Sequence, residues 1–206
     1  MQRRGLCRQG LCLLALWASG TISALGAPYT TTTELTATIV ASSCVGEIIT
    51  ATAQGRTAGA PGTVDFGVVN PKARSVPAQP FSLRLSEFMG GETGCSAFEA
   101  YGRQYPVATL SFGDIGHTQL DENGVILRYD DGSDARLRVR ISPTNVEGTF
   151  VQTGSPGYIT SAYTEVAYPI AFATKGQFDF QAVLSQWDRV KPGRFSGSLT
   201  VTVVYR

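Results

Sequence analysis

The architecture of this chain is most readily inferred from residues 195–206, Phe195-Ser-Gly-Ser-Leu-Thr-Val-Thr-Val-Val-Tyr-Arg206. Its residues alternate, so that one face of a strand carries Gly197, Leu199, Val201, Val203 and Tyr205. No further strand follows in the sequence, and we therefore expect an unpaired strand edge and an uncovered apolar groove beside it. The alternative is that this strand lies inside the sheet and is paired on both sides within its own chain.

A second strand-prone segment lies near the start of the chain, Tyr29-Thr-Thr-Thr-Thr-Glu-Leu-Thr-Ala-Thr-Ile-Val-Ala41. It is rich in β-branched residues and has no helix start signal. One face of it carries Tyr29, Thr31, Thr33, Leu35, Ala37 and Ile39. An extended arm together with a domain that ends one strand short predicts that each subunit's arm completes the sheet of the next subunit. We therefore expect the position beside the last strand to be empty in a single copy and to be filled by a neighbouring molecule.

The rest of the chain is predicted to be all-β. Short alternating runs recur between Gly, Pro, Asn and Asp, and none has a sustained helical period. The clearest runs are Leu35–Val40, Val64–Val69, Phe81–Leu85, Val107–Phe112, Leu137–Ile141, Val166–Phe172, Phe178–Leu184 and Leu199–Tyr205. Strands of this number and spacing predict one domain built as a sandwich of two antiparallel sheets.

Residues 1–26 are predicted to be a secretory signal peptide. Three arginines precede the short apolar run Leu11–Trp17, and small residues follow it up to a cleavage site after Gly26 or after Ala27. Two of the four cysteines lie in this segment, which leaves Cys44 and Cys95. Two cysteines in an exported chain predict one disulfide. Closing a loop of this length stabilises the fold by about 4 kcal/mol at most.

The composition argues against nucleic-acid binding and against catalysis. The chain has 206 residues, 43% of them hydrophobic, and a formal net charge of +1, whereas phosphate binding needs a concentrated basic surface. His117 is the single histidine, and no Gly-x-Ser-x-Gly motif accompanies it in the mature chain. Asp130-Asp-Gly-Ser-Asp134 lacks the distal Glu of a calcium loop and predicts a polar hairpin turn. We predict no enzyme, no cofactor and no metal site.

One strand carries a row of basic residues. Arg136, Arg138 and Arg140 alternate with Leu137, Val139 and Ile141. This pattern is typical of a strand with one solvated face and one face in the core. The alternative is a cationic stripe that contacts an acidic host glycan or a bacterial partner. Aromatic residues could separately stack on sugars, although single aromatic residues more often belong to the core or its rim; these are Tyr101, Tyr105, Tyr158, Tyr163 and Trp187.

Over nearly the whole mature length the chain resembles a chaperone–usher fimbrial subunit, a pilin of the type 1 family. Shared features are the leader, the short extension, a second Cys, and the motifs Ala41-Ser-Ser-Cys44, Val64-Asp-Phe-Gly-Val68, Phe81-Ser-Leu-Arg-Leu85 and Leu110-Ser-Phe-Gly113. The ending is the most specific part. Members of the family carry a Gly fourteenth from the C-terminus, which is Gly193 here, and a penultimate aromatic residue, which is Tyr205.

The resemblance implies an incomplete immunoglobulin-like β-sandwich that lacks its last strand, with residues 27–40 as a donor-strand extension and 41–206 as the pilin domain. A periplasmic chaperone would lend a strand to the groove beside Leu199, Val201 and Val203, and would hold the Arg206 carboxylate. At the outer-membrane usher, the arm of the next subunit would replace that strand. The product would be a fimbrium on the bacterial surface that contributes to adhesion.

Some features depart from the family pattern. The arm is rich in Thr where many pilins have Val or Ile, the segment from Glu87 to Cys95 is long, and the mature chain is larger than a typical major subunit. These differences favour a minor, adaptor or terminating subunit. The alternative function is a secreted, self-complete carbohydrate-binding β-sandwich.

Overall fold

The structure, a computed structural model, describes residues 31–39, 44–50, 62–70, 72–145, 150–152, 157–187 and 190–205. For 31–39 and Tyr205 it describes the backbone. The predicted signal segment, Tyr29 and Arg206 lie outside the described residues. The predicted division of the chain at residues 26 and 40 therefore stays a prediction.

Strands dominate the described residues, and two short helices interrupt them. The elements in chain order are β1 (Thr31–Ile39), β2 (Val45–Thr50), β3 (Thr63–Gly67), β4 (Gln79–Ser86), α1 (Ala97–Gly102), β5 (Val107–Phe112), β6 (Leu120–Asp121), β7 (Gly124–Tyr129), β8 (Asp134–Pro143), β9 (Val151–Gln152), β10 (Glu165–Pro169), α2 (Ile170–Ala173), β11 (Gln177–Ser185) and β12 (Phe195–Tyr205). The predicted all-β class is confirmed.

The strands hydrogen-bond in the order β2-β4-β11-β8-β7-β12-β5-β10-β9, with β1 joined to β12 and β3. Every pair among the described strands is antiparallel except β1 with β12. Phe112 of β5 packs against Phe180 of β11 with ring centroids 5.5 Å apart, although three strands separate them in this order. The sheet therefore closes over one core, in the manner of an immunoglobulin-like sandwich.

The alternation seen in the sequence places the core residues. In β4, Phe81, Leu83 and Leu85 are each at most 3% exposed, while Arg84 between them is exposed. The same pattern holds in β11, where Phe178, Phe180, Ala182 and Leu184 are buried. Inward residues of period two from both layers fill one interior, which is what a sandwich requires.

One predicted strand ends early. The alternation over Val166–Phe172 predicts a single strand, but β10 ends at Pro169 and the chain turns into α2. The prediction is wrong beyond Pro169, because the amide of Thr174 hydrogen-bonds to Ile170 O and that of Lys175 to Phe172 O, which closes helical turns where the strand would continue. A short alternating run does not distinguish these outcomes.

The arm forms β1, and it lies in the chain's own sheet. Thr31 is opposite Phe195 and Ile39 is opposite Val203, in a parallel ladder. The expectation that a single copy leaves this position empty is therefore wrong. The physical reason is tethering: four residues join Ile39 to Cys44, and so short a link holds the arm at a high effective concentration beside its own groove.

Candidate functional site

The candidate site is the strand gap between β3 and β12, which β1 fills. β1 pairs with β12 over 31–39 and with β3 over 31–34 on its other side. Among the described residues, β3 pairs with no strand other than β1. If β1 is set aside, the body of the domain has two strand edges that face each other without a strand between them. The predicted strand deficit is thus a property of the body as far as its described residues, β2 to β12, extend.

The groove side of β12 is apolar and buried. Leu199, Val201 and Val203 are 0%, 2% and 2% exposed with β1 in place. On the other face Ser196 and Ser198 are exposed. Burying one large aliphatic side chain stabilises by roughly 1.5–3 kcal/mol, so a strand that covers this row contributes substantially to the fold. The structure brings these three predicted groove residues together on one face.

On the edge of β12 that faces away from β1, the partner strand changes along its length. A glutamine side chain hydrogen-bonds to β12 between the two partner strands. β12 pairs with β7 over Phe195–Ser196 and with β5 over Val201–Tyr205. Between them, Gln119 Oε1 accepts the Thr200 amide at 2.8 Å, and its Nε2 donates to Thr200 Oγ1 at 3.2 Å. The Thr200 carbonyl oxygen accepts Gly113 N–H at 2.8 Å. This edge of β12 is therefore occupied even where no strand lies beside it.

Asp114 holds the loop that presents Gln119. Its Oδ1 accepts the amides of Thr118 and Gln119 at 2.8 and 3.1 Å, and its Oδ2 accepts Thr118 Oγ1 at 2.8 Å. The hydrogen bond from the Thr118 hydroxyl is the main cause that lowers the pKa of this carboxyl. Sequence reasoning missed Gln119, since only folding brings it to β12. Asp114, four residues before Thr118, is the local turn signal that was available.

Gly193 lies where the chain enters β12. A Cβ at this position would lie 3.1 Å from the ring atoms Cδ1 and Cε1 of Tyr129. The Tyr129 ring in turn packs on Phe195 with centroids 5.0 Å apart, and its hydroxyl accepts the Lys191 amide at 3.1 Å. The glycine therefore allows a tyrosine to cover the first residue of the last strand.

The predicted disulfide is present and fixes the root of the arm. Cys44 and Cys95 are bonded, with Cα atoms 5.9 Å apart, and both are buried. Next to Cys44, Val45 pairs with Ser86 at the end of β4. The bridge thus ties the start of β2 to the segment between β4 and α1, as the sequence predicted.

The row of arginines is not a cationic stripe. Arg138 is 7% exposed, and its Nε lies 2.6 Å from Asp121 Oδ2 while Nη1 lies 2.8 Å from Asp134 Oδ1. Both the solvated-face interpretation and the stripe interpretation are wrong at this residue, because two carboxylates compensate its buried charge. Arg140 instead stacks over the Tyr158 ring, with Cζ 4.7 Å from the centroid.

The other sequence candidates are turns. Asp131 Oδ1 accepts both the amide and the hydroxyl of Ser133, in the predicted hairpin between β7 and β8. His117 is exposed in the turn that follows Asp114. Within the described ranges, no group of three or more His, Cys, Asp or Glu residues is placed to hold a metal ion. In the same ranges, no helix has the length and apolar character needed to cross a membrane.

Comparison with known proteins gives one family. The family model described as K88 fimbrial protein A matches residues 10–206, which include the cysteine pair, the strand gap and the last strand. No curated protein matches the chain. The match agrees with the resemblance to fimbrial subunits and covers almost the entire sequence. The chain therefore belongs to the K88 fimbrial protein A family, a chaperone–usher fimbrial subunit family, and is a component of a cell-surface fimbrium that contacts other fimbrial subunits.

Proposed function

We propose that this chain is a structural subunit that polymerises by donor-strand exchange, with the 27–40 arm of one subunit filling the gap between β3 and β12 of the next. One observation carries the proposal. β1 is the element that joins β3 to β12, and it is attached to the body by a short segment at one end. A strand held in this way can be supplied by another copy, because the ladder bonds are backbone bonds and do not depend on which chain provides them.

The direction of β1 supplies the driving force. Within one chain the arm must end at its root near Val203, so its ladder with β12 is parallel. An arm from a neighbour has no such constraint and can run antiparallel to β12. Antiparallel pairing is slightly more stable per residue, so exchange between copies is favoured once their concentration offsets the tethering of the own arm.

The groove residues set the strength of the bond. Ladder hydrogen bonds of about 1 kcal/mol each and burial of the Leu199, Val201 and Val203 row oppose the entropy of ordering the arm. The inward face of the arm is Tyr29, Thr31, Thr33, Leu35, Ala37 and Ile39 in this proposal. Tyr205 and Arg206 mark the end of β12 that a periplasmic chaperone would hold before the usher adds the next subunit, and Gly193 precedes the other end of the same strand.

The proposal is tested with a variant whose arm cannot act as a donor strand. Residues 31–39 are replaced by a Gly/Ser segment of equal length, and the variant is mixed with intact, differently tagged chain. We expect the variant to accept an intact arm but to add no further subunit, so that it shortens multimers in proportion to its share. A synthetic peptide of residues 27–40, added during refolding, is the control that shows the variant's groove is folded. Normal growth of multimers from the variant alone would contradict the proposal.

A self-complete monomer is the second candidate, and the pairing of β1 with its own body favours it. In that case the chain would be a secreted carbohydrate-binding domain, with the Arg140–Tyr158 pair as a candidate glycan contact. It predicts that the intact chain stays monomeric at every concentration after heating and cooling. Exchange predicts that the share of multimers rises with concentration under the same treatment.

A further inference from the structure

Two large apolar side chains stand next to each other in solvent at the tip of the loop after β4. Phe88 and Met89 are 67% and 75% exposed. Exposed apolar residues that occur singly are common, whereas adjacent large ones on an ordered loop mark surfaces that another molecule covers. Neither side chain belongs to the strand gap or to the core.

The loop is held in place by its own contacts. The Phe88 carbonyl oxygen accepts Ser86 Oγ at 2.8 Å and Gly91 N–H at 2.9 Å. Glu87 Oε1 accepts Ser96 N–H at 2.6 Å, next to the disulfide at Cys95. The two apolar side chains are thus presented by a fixed scaffold.

The loop lies at the root of the arm. Ser86, which is two residues before Phe88, pairs with Val45. The strand spacing and the reach of two residues therefore place Phe88 within about 12 Å of Val45. Four residues join Cys44 to Ile39 and span at most about 17 Å. Wherever the arm of a subunit inserts, these lengths keep Phe88 and Met89 within a reach of at most about 33 Å from Ile39 at the mouth of that groove.

We propose that Phe88 and Met89 of one subunit dock on the next subunit at the Phe195 end of its groove. This inference rests on the proposed strand exchange. An arm that runs antiparallel to β12 places its residue 39, and hence its root, beside Phe195. At that end of the groove, Thr31 of β1 lies between Gly67 of β3 and Phe195 of β12 and pairs with both. Val68, which follows Gly67, is 57% exposed.

The charges near the two surfaces are partly complementary. Glu87 is exposed beside Phe88 on the donor, while Lys191 and Arg194 are exposed where the recipient chain enters β12. Asp130 and Asp131 in the β7–β8 hairpin also lie near Tyr129, so the recipient surface is mixed. Strand exchange brings a second copy of this chain to the Phe195 end, so that copy is the occupant we propose, with apolar contact at Val68 as the main attraction.

The test compares multimer formation by full chains after brief heating that releases the own arm. The variants are the double change Phe88→Ser with Met89→Ser, the recipient change Val68→Ser, and Val151→Ser as a control for loss of an equally exposed apolar residue (65% exposed). We expect the first two to need about tenfold more protein for half-maximal assembly, and the control to match the wild-type chain. Light scattering after size-exclusion chromatography measures this concentration.

A second measurement fixes the position of the contact. A photoreactive phenylalanine at position 88 keeps the ring and should crosslink to the peptide around Val68 of another subunit. If the Phe88 and Met89 variant assembles as well as the wild-type chain, or if crosslinks within multimers fall elsewhere, the docking inference is overturned and strand exchange stands. If the wild-type chain forms no multimers, the proposed function fails and the docking inference fails with it.

Discussion

Leu35 of the arm lies opposite Leu199 of the last strand in a parallel ladder. The two residues come from the two ends of the sequence, and their pairing closes the gap that the body leaves. The arm is not an appendage in this state but a strand of the sheet. The parallel direction follows from the short link at Cys44, which makes this state distinct from one in which another chain donates the strand.

The inward face of the arm can be tested by a pair of threonine substitutions. The alternation of the arm sequence predicts that Thr33 is on the groove face, so Thr33→Val, which replaces a hydroxyl by a methyl, should raise the stability of the monomer by up to about 1 kcal/mol. Thr32→Val, the matched control on the other face, should change stability by less than about 0.5 kcal/mol. Urea unfolding of the two variants measures the difference. A gain from Thr32→Val alone would mean that the opposite face points inward.

Close packing between β7 and β12 predicts that Gly197 cannot carry a side chain. A Cβ there would lie 2.6 Å from the Ile126 carbonyl oxygen and 2.7 Å from Leu127 Cδ2. Backbone has to move to relieve such a contact, so Gly197→Ala should destabilise the fold by about 1–3 kcal/mol. Ser196→Ala, one residue away and exposed, is the control. Equal unfolding midpoints for the two variants would show that the strands are farther apart than described.

Much of the fold could be predicted from alternation alone. The strands that contain Phe81, Leu110 and Phe178 were all predicted, and so was the Cys44–Cys95 bridge, because period-two burial and the cysteine count are local signals. β2 and β7 were missed. Gly46 interrupts the first, and the second begins with three consecutive apolar residues, Val125-Ile-Leu127, which have no strand period.

The site was predicted less completely than the fold. The apolar row of β12 is visible in the sequence, since each of its residues is two positions from the next. Gln119, which bonds to Thr200 across 81 positions, is not. Nor does the sequence say that Arg138 is buried, because its partner Asp121 comes from another strand. Contacts that only the folded chain creates have no sequence period to reveal them.

Arg138 gives a prediction about stability. Arg138→Ala removes its hydrogen bonds to Asp121 and Asp134 and leaves both carboxylates without their cation, so we expect a loss of about 2 kcal/mol. Arg84→Ala, on the exposed face of β4, should cost less than about 0.5 kcal/mol. Chemical unfolding at neutral pH compares them. A similar small loss for both would indicate that water replaces the ion pairs at no cost.

The disulfide should contribute to the body of the domain and not to exchange itself. Replacing Cys44 and Cys95 together by Ala removes the closure of a loop with sequence separation 51, which predicts a loss of up to about 4 kcal/mol. Unfolding of the wild-type chain with and without reductant gives an independent measure of the same quantity. If the reduced wild-type chain is as stable as the oxidised one, the bridge does not restrain the unfolded chain as proposed.

Asp134 makes part of the stability depend on acid pH. Its hydrogen bonds from Arg138 lower its pKa from 3.8 to about 2, so the folded chain binds this proton less readily than the unfolded chain. Its contribution is therefore fully present above pH 3.8 and is lost as the pH falls through about 2. We predict that the unfolding midpoint of the wild-type chain falls more steeply between pH 4 and pH 2 than that of Asp134→Asn, where this carboxyl is absent. Thermal unfolding at half-unit pH steps measures both slopes. Asp130→Asn is the control for the removal of a neighbouring carboxyl. Parallel curves for the wild-type chain and Asp134→Asn would show that the Arg138 bond does not stabilise the folded chain.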